Sequence, residues 1–137
     1  VYADQLAGAA DDFEVAAMVQ MNINDDLDAA LLPVKMMVGF YIGGMGAKGQ
    51  NYHTKLMERF GYVDEALHIQ QLFMDGRRDE AIAAVPDEFA DAISLCGPLD
   101  RVRERLEPWK SSPVTTLLVT AGGDQQLLRT AAELVLD

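Results

Sequence analysis

The sequence predicts an α/β fold whose strands are parallel. Three apolar stretches typical of strands lie at residues 13–23, 93–96 and 114–120, and helical patterns follow each of them. Strands that alternate with helices along a chain indicate βαβ units, in which the strands run parallel. The chain has 137 residues, 50% of them hydrophobic, so it is the size of one domain and can bury a core.

The first strand, residues 13–23, is apolar at most positions on both faces. A strand buried on both sides in a parallel sheet has this pattern, and a buried helix is the alternative. Three strands with helices on one face leave the opposite face bare and two edges unpaired. We therefore expect either that further strands of a larger barrel are missing from this chain or that the chain self-associates. The start at Val1, without Met, favours the first reading.

A long helix is predicted after the first strand. Asn24 or Asp25 can cap it, and apolar residues recur along one side of it at helical spacing. Pro33 is expected to kink or restart this helix, because proline has no N–H to donate. Residues 43–49 are expected to form a flexible loop. The apolar stripe consists of Leu27, Leu31, Val34, Val38 and Ile42.

Four short helices are predicted between the first two strands. Asn51 caps the first, which stops at Gly61, and Asp64 caps the second, which ends near Gly76. The third spans residues 79–85, and Pro86 opens the fourth. The side chains expected to face inward are Tyr52, Leu56 and Phe60 in the first helix and Ala66, Ile69, Leu72 and Phe73 in the second.

Two amphipathic helices flank the last strand. The first spans residues 100–110, and Asp124 caps the second. Their apolar residues are Val102, Leu106 and Trp109 in the first and Leu127, Leu128, Ala131, Leu134 and Val135 in the second.

The composition argues against several functions. Asp plus Glu number 22 and Lys plus Arg 11, a formal net charge of −11, so nucleic acid is not an expected partner. No uninterrupted apolar run reaches the roughly 18 residues of a membrane span, so no membrane partner is expected. Cys96 is the single cysteine and cannot form an internal disulfide, and the N-terminal residues lack a signal-peptide pattern. The expected compartment is therefore the cytoplasm.

The sequence offers few residues for catalysis. His53 and His68 have no Cys or second His nearby, and Cys96 lies in an apolar strand, so no metal site is expected and the thiol is interpreted as packed. In Gly43–Gly49, glycines would let the backbone approach a ligand, and Lys48 could meet an anionic group. A flexible connection between helices explains these glycines equally well. Gly97-Pro98 and Gly122-Gly123 follow two strands, at the edge where α/β barrels bind ligands, and turn chemistry is their alternative role.

Several stretches resemble a known family. The residues Tyr41–Gly46, Asn51-Tyr52 and Arg59–Tyr62 resemble the luciferase-like oxidoreductases, and more narrowly the branch that depends on the deazaflavin coenzyme F420. The resemblance continues through 13–17, 79–81, 85–88, 97–98, 101–102, 104–106 and 114–118, and it runs from about residue 6 to the end of the chain. Pro33 departs from the family pattern, in which a proline more often follows the residue that aligns with Lys35.

The resemblance implies a fold and an activity. The chain would be the C-terminal portion of a (β/α)8 TIM barrel, comprising strands six to eight and a helical insertion, so that residues 1–137 form part of one truncated barrel domain. The complete enzyme would transfer a hydride between coenzyme F420, or alternatively FMN, and a small organic substrate, whereas the isolated fragment would be inactive. Its partners would be the missing N-terminal part or a second copy.

The resemblance also implies site residues. Tyr41, Gly43, Gly44 and Met45 are expected to contact the cofactor, and Lys48 the substrate. No catalytic acid or base is evident, and no metal is expected.

Two other functions are compatible with the residues. One is a non-catalytic interaction module, in which the acidic surface and the exposed sheet face bind a partner protein. The weaker one is a stand-alone flavin-binding α/β protein. That reading needs a glycine-rich loop directly after the first strand, where the sequence instead has Asn24-Asp25-Asp26.

Overall fold

The computed structural model describes residues 13–47, 49–121, 123 and 125–136, except for the side chain of Leu136. They form two compact units. One, the sheet unit, contains the chain up to Ala30 and from Ile93 onward, and the other, the helical unit, spans Leu31–Ala92. In chain order the elements are β1 (Ala16–Ile23), α1 (Leu27–Gly44), α2 (Tyr52–Arg59), α3 (Val63–Met74), α4 (Arg78–Ala83), α5 (Asp87–Ala92), β2 (Ser94–Gly97), α6 (Leu99–Lys110), β3 (Thr116–Thr120) and α7 (Gln125–Leu136).

The predicted parallel sheet is confirmed, and its strand order is β2-β1-β3. Strand β1 is central, with Gln20 opposite Ser94 on one side and Ala16 opposite Thr116 on the other. Three consecutive strands of a (β/α)8 barrel would instead place β2 in the middle, since each barrel strand pairs with its neighbours in the chain. Within the described residues β1 has a second edge for β3 to pair with, and pairing satisfies backbone groups that an open edge exposes. The consecutive barrel order is therefore not seen in this chain.

The core of the sheet unit lies on one face of the sheet. Its buried residues are Val19, Met21, Leu95, Val102, Leu106, Ala131 and Leu134, with Trp109 and Leu117 partly buried against them. On the opposite face Met18 is 72% exposed and Leu118 47% exposed. The prediction that β1 is buried on both sides is thus wrong for this chain, because the helices of the sheet unit cover one face. The prediction that three strands leave a bare face is confirmed around Met18 and Leu118 of β1 and β3, whereas Ser94 and Cys96 of β2, on the same face, are buried.

Helix α1 differs from its prediction at both ends. The side chain of Asp26, and not of Asn24 or Asp25, caps it by accepting hydrogen bonds from the N–H groups of Asp28 and Ala29. The helix continues through Pro33 to Gly44, so the predicted restart at Pro33 is wrong. The predicted stripe is buried except for Leu27, and this burial explains why one missing N–H is tolerated.

The outer face of α1 is also apolar. Leu32, Met36 and Phe40 lie four residues apart, and each is about half exposed. By length and mean hydropathy the helix could cross a membrane, although 39% of it is buried in the protein. A core helix meets the same two criteria, so this observation is weak evidence for a membrane span.

The helical unit confirms the cap at Asn51 and the stop at Gly61, whose φ is +95°. The predicted inner side of α2 is wrong, because Tyr52 and Phe60 are exposed whereas Thr54 and Met57 are buried. Helix α3 has the expected buried residues Ala66, Ile69 and Leu72, but it starts after Tyr62, so Asp64 lies in its first turn and is not its cap. Helix α4 begins at Arg78, and α5 begins at Asp87, directly after Pro86.

In the sheet unit, α6 buries Val102 and Leu106 as predicted, and Trp109 is half-buried. Helix α7 buries Ala131 and Leu134, but Leu128 and Val135 are exposed. Asp124, the predicted cap of this helix, lies outside the described residues. Cys96 is fully buried in β2, as the packed-thiol interpretation predicts.

Candidate functional site

The glycines predicted to contact a cofactor lie in a helix. Because α1 extends to Gly44, the expected loop 43–49 is shorter than predicted. A Cβ atom on Gly43 would collide with the Cβ of Phe73, and one on Gly44 would lie 2.9 Å from its Cε1. These glycines therefore allow the Phe73 side chain of α3 to pack directly on the backbone of α1. Their contact with a ligand stays a prediction.

The connection between α1 and α2 is short and partly ordered by a turn. The N–H of Gln50 donates to the carbonyl of Ala47 at 2.9 Å, and Gly49 adopts a φ of +76°, which favours glycine. A Cβ on Gly46 would lie 3.1 Å from the Cα of Asn51, so the backbone of Gly46 packs closely against Asn51. Lys48 lies outside the described residues, and its role toward a substrate stays a prediction.

Asn51 joins the two ends of this connection. Its Nδ2 donates to the carbonyls of Tyr41 and Ile42, at 2.8 Å each, and its Oδ1 accepts from the N–H groups of His53 at 2.8 Å and Thr54 at 3.4 Å. Asn51 is only 1% exposed. The side chain thus forms hydrogen bonds with carbonyls at the end of α1 and with N–H groups at the start of α2, which have no partner within their own helix. The sequence identified the cap, but it held no signal for the two donated bonds.

Two further polar side chains are buried beside Asn51. The Oγ1 of Thr54 donates to the Ile42 carbonyl at 3.0 Å and accepts from the Nε2 of Gln70 at 3.2 Å. Thr54 and Gln70 are both buried. Buried polar groups are stable only when they are hydrogen-bonded, and these bonds connect α1, α2 and α3. We call Asn51, Thr54 and Gln70 the polar clamp.

Aromatic rings surround the same turn. The Tyr41 ring contacts His53 edge to face with centroids 4.6 Å apart, and His53 contacts Tyr52 at 5.5 Å. Tyr41 and Met45, both predicted to contact the cofactor, are 36% and 50% exposed. The ring contacts give His53 a packing role. Within the parts of the chain that the structure describes, no group of three His, Cys, Asp or Glu side chains could hold a metal.

At the carboxyl edge of the sheet, polar groups are engaged within the protein. The Nδ2 of Asn22 donates to the Ala30 carbonyl at 3.1 Å, and an Arg101 guanidinium nitrogen donates to the Cys96 carbonyl at 2.6 Å. Gly97 has a φ of +117° and Gly123 a φ of +84°, so both turns require glycine, and Gly122 lies outside the described residues. After β1 the Asn24 and Asp26 side chains accept from local backbone N–H groups. An acidic loop of this kind does not resemble a phosphate cradle.

Several surface cavities lie among the described residues of the sheet unit. One of about 340 Å³ is lined by residues of α6 and α7, one of about 170 Å³ by Trp109, Leu117 and neighbouring residues, and one of about 270 Å³ by Pro108, Trp109, Ser112 and Val114. None of these three contains Tyr41, Gly43, Gly44 or Met45. Tyr41, Gly44 and Met45 instead belong to the exposed surface of the helical unit, whereas Gly43 is buried.

Comparison with known proteins identifies relatives by sequence. The profile of the luciferase-like monooxygenase family matches residues 3–116. A protein of Mycobacterium tuberculosis, provisionally named a coenzyme F420-dependent oxidoreductase, is 38% identical over 122 residues. That alignment covers 89% of this chain and 35% of the relative, so the chain spans about a third of the relative's length. No solved structure matches significantly.

The family match covers most of the chain and includes the connection around Asn51, the insertion helices and the first two strands of the sheet. The resemblance in the sequence is therefore confirmed, and the chain belongs to the luciferase-like monooxygenase family.

Proposed function

We propose that this chain is part of an oxidoreductase that transfers a hydride between coenzyme F420 and a small organic substrate, with FMN as the alternative cofactor. The observation that carries this proposal is the 38% identity to a relative named for coenzyme F420. When bound, the deazaflavin supplies the hydride-transfer chemistry. The protein has to orient the ring against the substrate and exclude water from it.

The exposed part of the helical unit fits such a ring. Tyr41 offers an aromatic surface held in place by His53, and Met45 offers a polarisable thioether. Gly44 is exposed and presents backbone without a side chain. We propose that these residues contact the cofactor and that Lys48 pairs with an anionic group of the substrate. Gly43 acts indirectly in this proposal. Because it has no side chain, Phe73 packs against its backbone and stabilises the last turn of α1.

We further propose that the chain contributes strands six, seven and eight to a (β/α)8 barrel in the cytoplasm. The bare sheet face with Met18 and Leu118 supports this, since exposed apolar surface of a sheet calls for a cover. In the barrel β3 has to pair with β2, and a strand from elsewhere takes the edge of β1 that β3 now occupies. Because most of the barrel's loops are then supplied by other residues, we expect the 137-residue chain to be inactive by itself.

Cofactor titration tests the proposal. Coenzyme F420 and FMN are titrated, with fluorescence anisotropy as the readout, into the complete natural polypeptide that contains this sequence and, as a control, into the 137-residue chain. We expect the complete polypeptide to bind coenzyme F420 more tightly than FMN and the 137-residue chain to bind neither. A complete polypeptide that binds neither cofactor contradicts the proposed function. Micromolar binding by the 137-residue chain contradicts the requirement for a barrel.

A further inference from the structure

We propose that Asn51 is a positioning residue, which holds Tyr41 and the described residues of the connection between α1 and α2, 45–47 and 49–50, in one arrangement before the cofactor binds. This inference rests on the proposed function, in which Tyr41 and Met45 contact the cofactor. It concerns a residue that does not itself touch the ligand. Asn51 is 1% exposed, so it can act only through the backbone that it binds.

The chemistry of the asparagine side chain matches this position. An amide group has two N–H donors and an oxygen with two lone pairs, and the structure uses all four. Asp would keep the acceptors and lose the donors, whereas Ser and Thr have a single donor. A side chain that caps α2 and also donates to two carbonyls of α1 has to be an amide of this length.

The hydrogen bonds of Asn51 link the end of α1 to the start of α2. The carbonyls of Tyr41 and Ile42 belong to the last turn of α1, and the N–H groups of His53 and Thr54 belong to the first turn of α2. One side chain therefore fixes the separation of the two helix ends. Gly46 packs on the Cα of Asn51, which adds a contact from the middle of the connection.

The rest of the polar clamp restrains Asn51 in turn. Thr54 donates to the same Ile42 carbonyl, and Gln70 of α3 donates to Thr54. A preorganised site binds its ligand more tightly, because less conformational freedom is lost on binding. We therefore expect the clamp to lower the Kd for the cofactor by ordering Tyr41 and Met45 in advance.

Asn51→Asp in the complete polypeptide separates this role from simple capping. The carboxylate still caps α2, but it cannot donate to the carbonyls of Tyr41 and Ile42, and its charge faces their oxygens. We expect amide hydrogen exchange in residues 45–50 to accelerate at least about tenfold, the equivalent of about 1.4 kcal/mol. The Kd for coenzyme F420 should also rise at least about tenfold, and the fluorescence anisotropy of the bound cofactor should fall.

Two other variants accompany it. Thr54→Val removes one donated bond and tests the clamp if Asn51→Asp does not fold, with a smaller acceleration expected in the same residues. Ser112→Ala is the matched control, because Ser112 also bridges a helix-end carbonyl, that of Trp109 at 2.7 Å, to a following N–H, that of Val114 at 3.2 Å. Ser112 belongs to the sheet unit, and its loss should leave exchange in residues 45–50 and the cofactor Kd within about twofold of wild type.

The outcomes distinguish the two proposals. Unchanged exchange in residues 45–50 of folded Asn51→Asp overturns the inference, and so does faster exchange with the wild-type Kd. If Asn51→Asp does not fold, unchanged exchange in Thr54→Val overturns it. A wild-type protein that binds neither coenzyme F420 nor FMN refutes the proposed function, and the exchange data then still decide whether Asn51 holds the connection.

Discussion

Strand order can be tested by cross-linking β1 to β3. Met18 and Leu118 are opposite each other in the parallel register, and both side chains lie on the exposed face of the sheet. Neighbouring strands are about 4.8 Å apart, whereas strands separated by one other strand are about twice as far apart. A disulfide requires Cα atoms about 4.4–6.8 Å apart. The pair Met18→Cys and Leu118→Cys can therefore form a disulfide only if β1 and β3 are adjacent.

We expect the double variant of the 137-residue chain to form this disulfide under mild oxidation, detected by peptide mass spectrometry as a cross-link between positions 18 and 118. In the complete polypeptide we expect no such bond, because β2 would lie between β1 and β3 in the consecutive order of a barrel. Asn22→Cys is the control, since Asn22 is opposite the native Cys96 and β1 and β2 are adjacent in both arrangements. Its disulfide should form in both proteins.

Either of two results would refute this reasoning. If the control disulfide forms and the bond between positions 18 and 118 does not form in the 137-residue chain, the β2-β1-β3 order is wrong. If the bond between positions 18 and 118 forms in the complete polypeptide, the assignment to consecutive barrel strands is wrong.

Four further outcomes are expected. Trp109→Ala should lower the free energy of unfolding by about 2 kcal/mol, less than the usual loss for a fully buried tryptophan because this one is half-buried, and a denaturation curve checks it. Gly43→Ala should destabilise by about 1–3 kcal/mol although Gly→Ala in a helix is normally favourable, and the double variant with Phe73→Ala should cost less than the two single losses combined. The hydrogen bond from Arg77 lowers the pKa of Glu80. The contribution of this pair to folding stability is therefore present above the ordinary carboxyl pKa and is lost as the pH falls through the lowered pKa. In Arg77→Ala the pKa of Glu80, followed by NMR, should therefore rise. The 137-residue chain should form dimers or larger species in light scattering, because its bare sheet face is apolar, and a monodisperse monomer would contradict this.

Much of the local structure could be predicted from the sequence. The three apolar stretches contain the three strands, and their alternation with helices correctly predicted that the strands are parallel. The cap at Asn51, the stop at Gly61 and the buried stripe of α3 also agree with the sequence pattern. These features depend on residues within a few positions of one another, so a local pattern contains the information that specifies them.

Features that depend on distant residues were decided by the tertiary structure. Glycines in a row indicate a loop, but Gly43 and Gly44 are helical because Phe73 of another helix packs against them. The apolar residues Tyr52 and Phe60 predicted one buried face of α2. The structure instead buries the face that carries Thr54, because Thr54 forms hydrogen bonds in the polar clamp. Periodicity shows that a helix has two faces, and only its neighbours determine which face is covered.

The candidate site divides in the same way. The order and spacing of several motifs along the chain were sufficient to identify the family, because sequence similarity needs no geometry. The strand order and the two bonds from Asn51 to α1 could not be predicted, because they depend on which sheet edge is free and on which carbonyls lack a partner. Such groups are satisfied across the fold, by residues whose separation in the chain is set by packing and not by a repeating pattern.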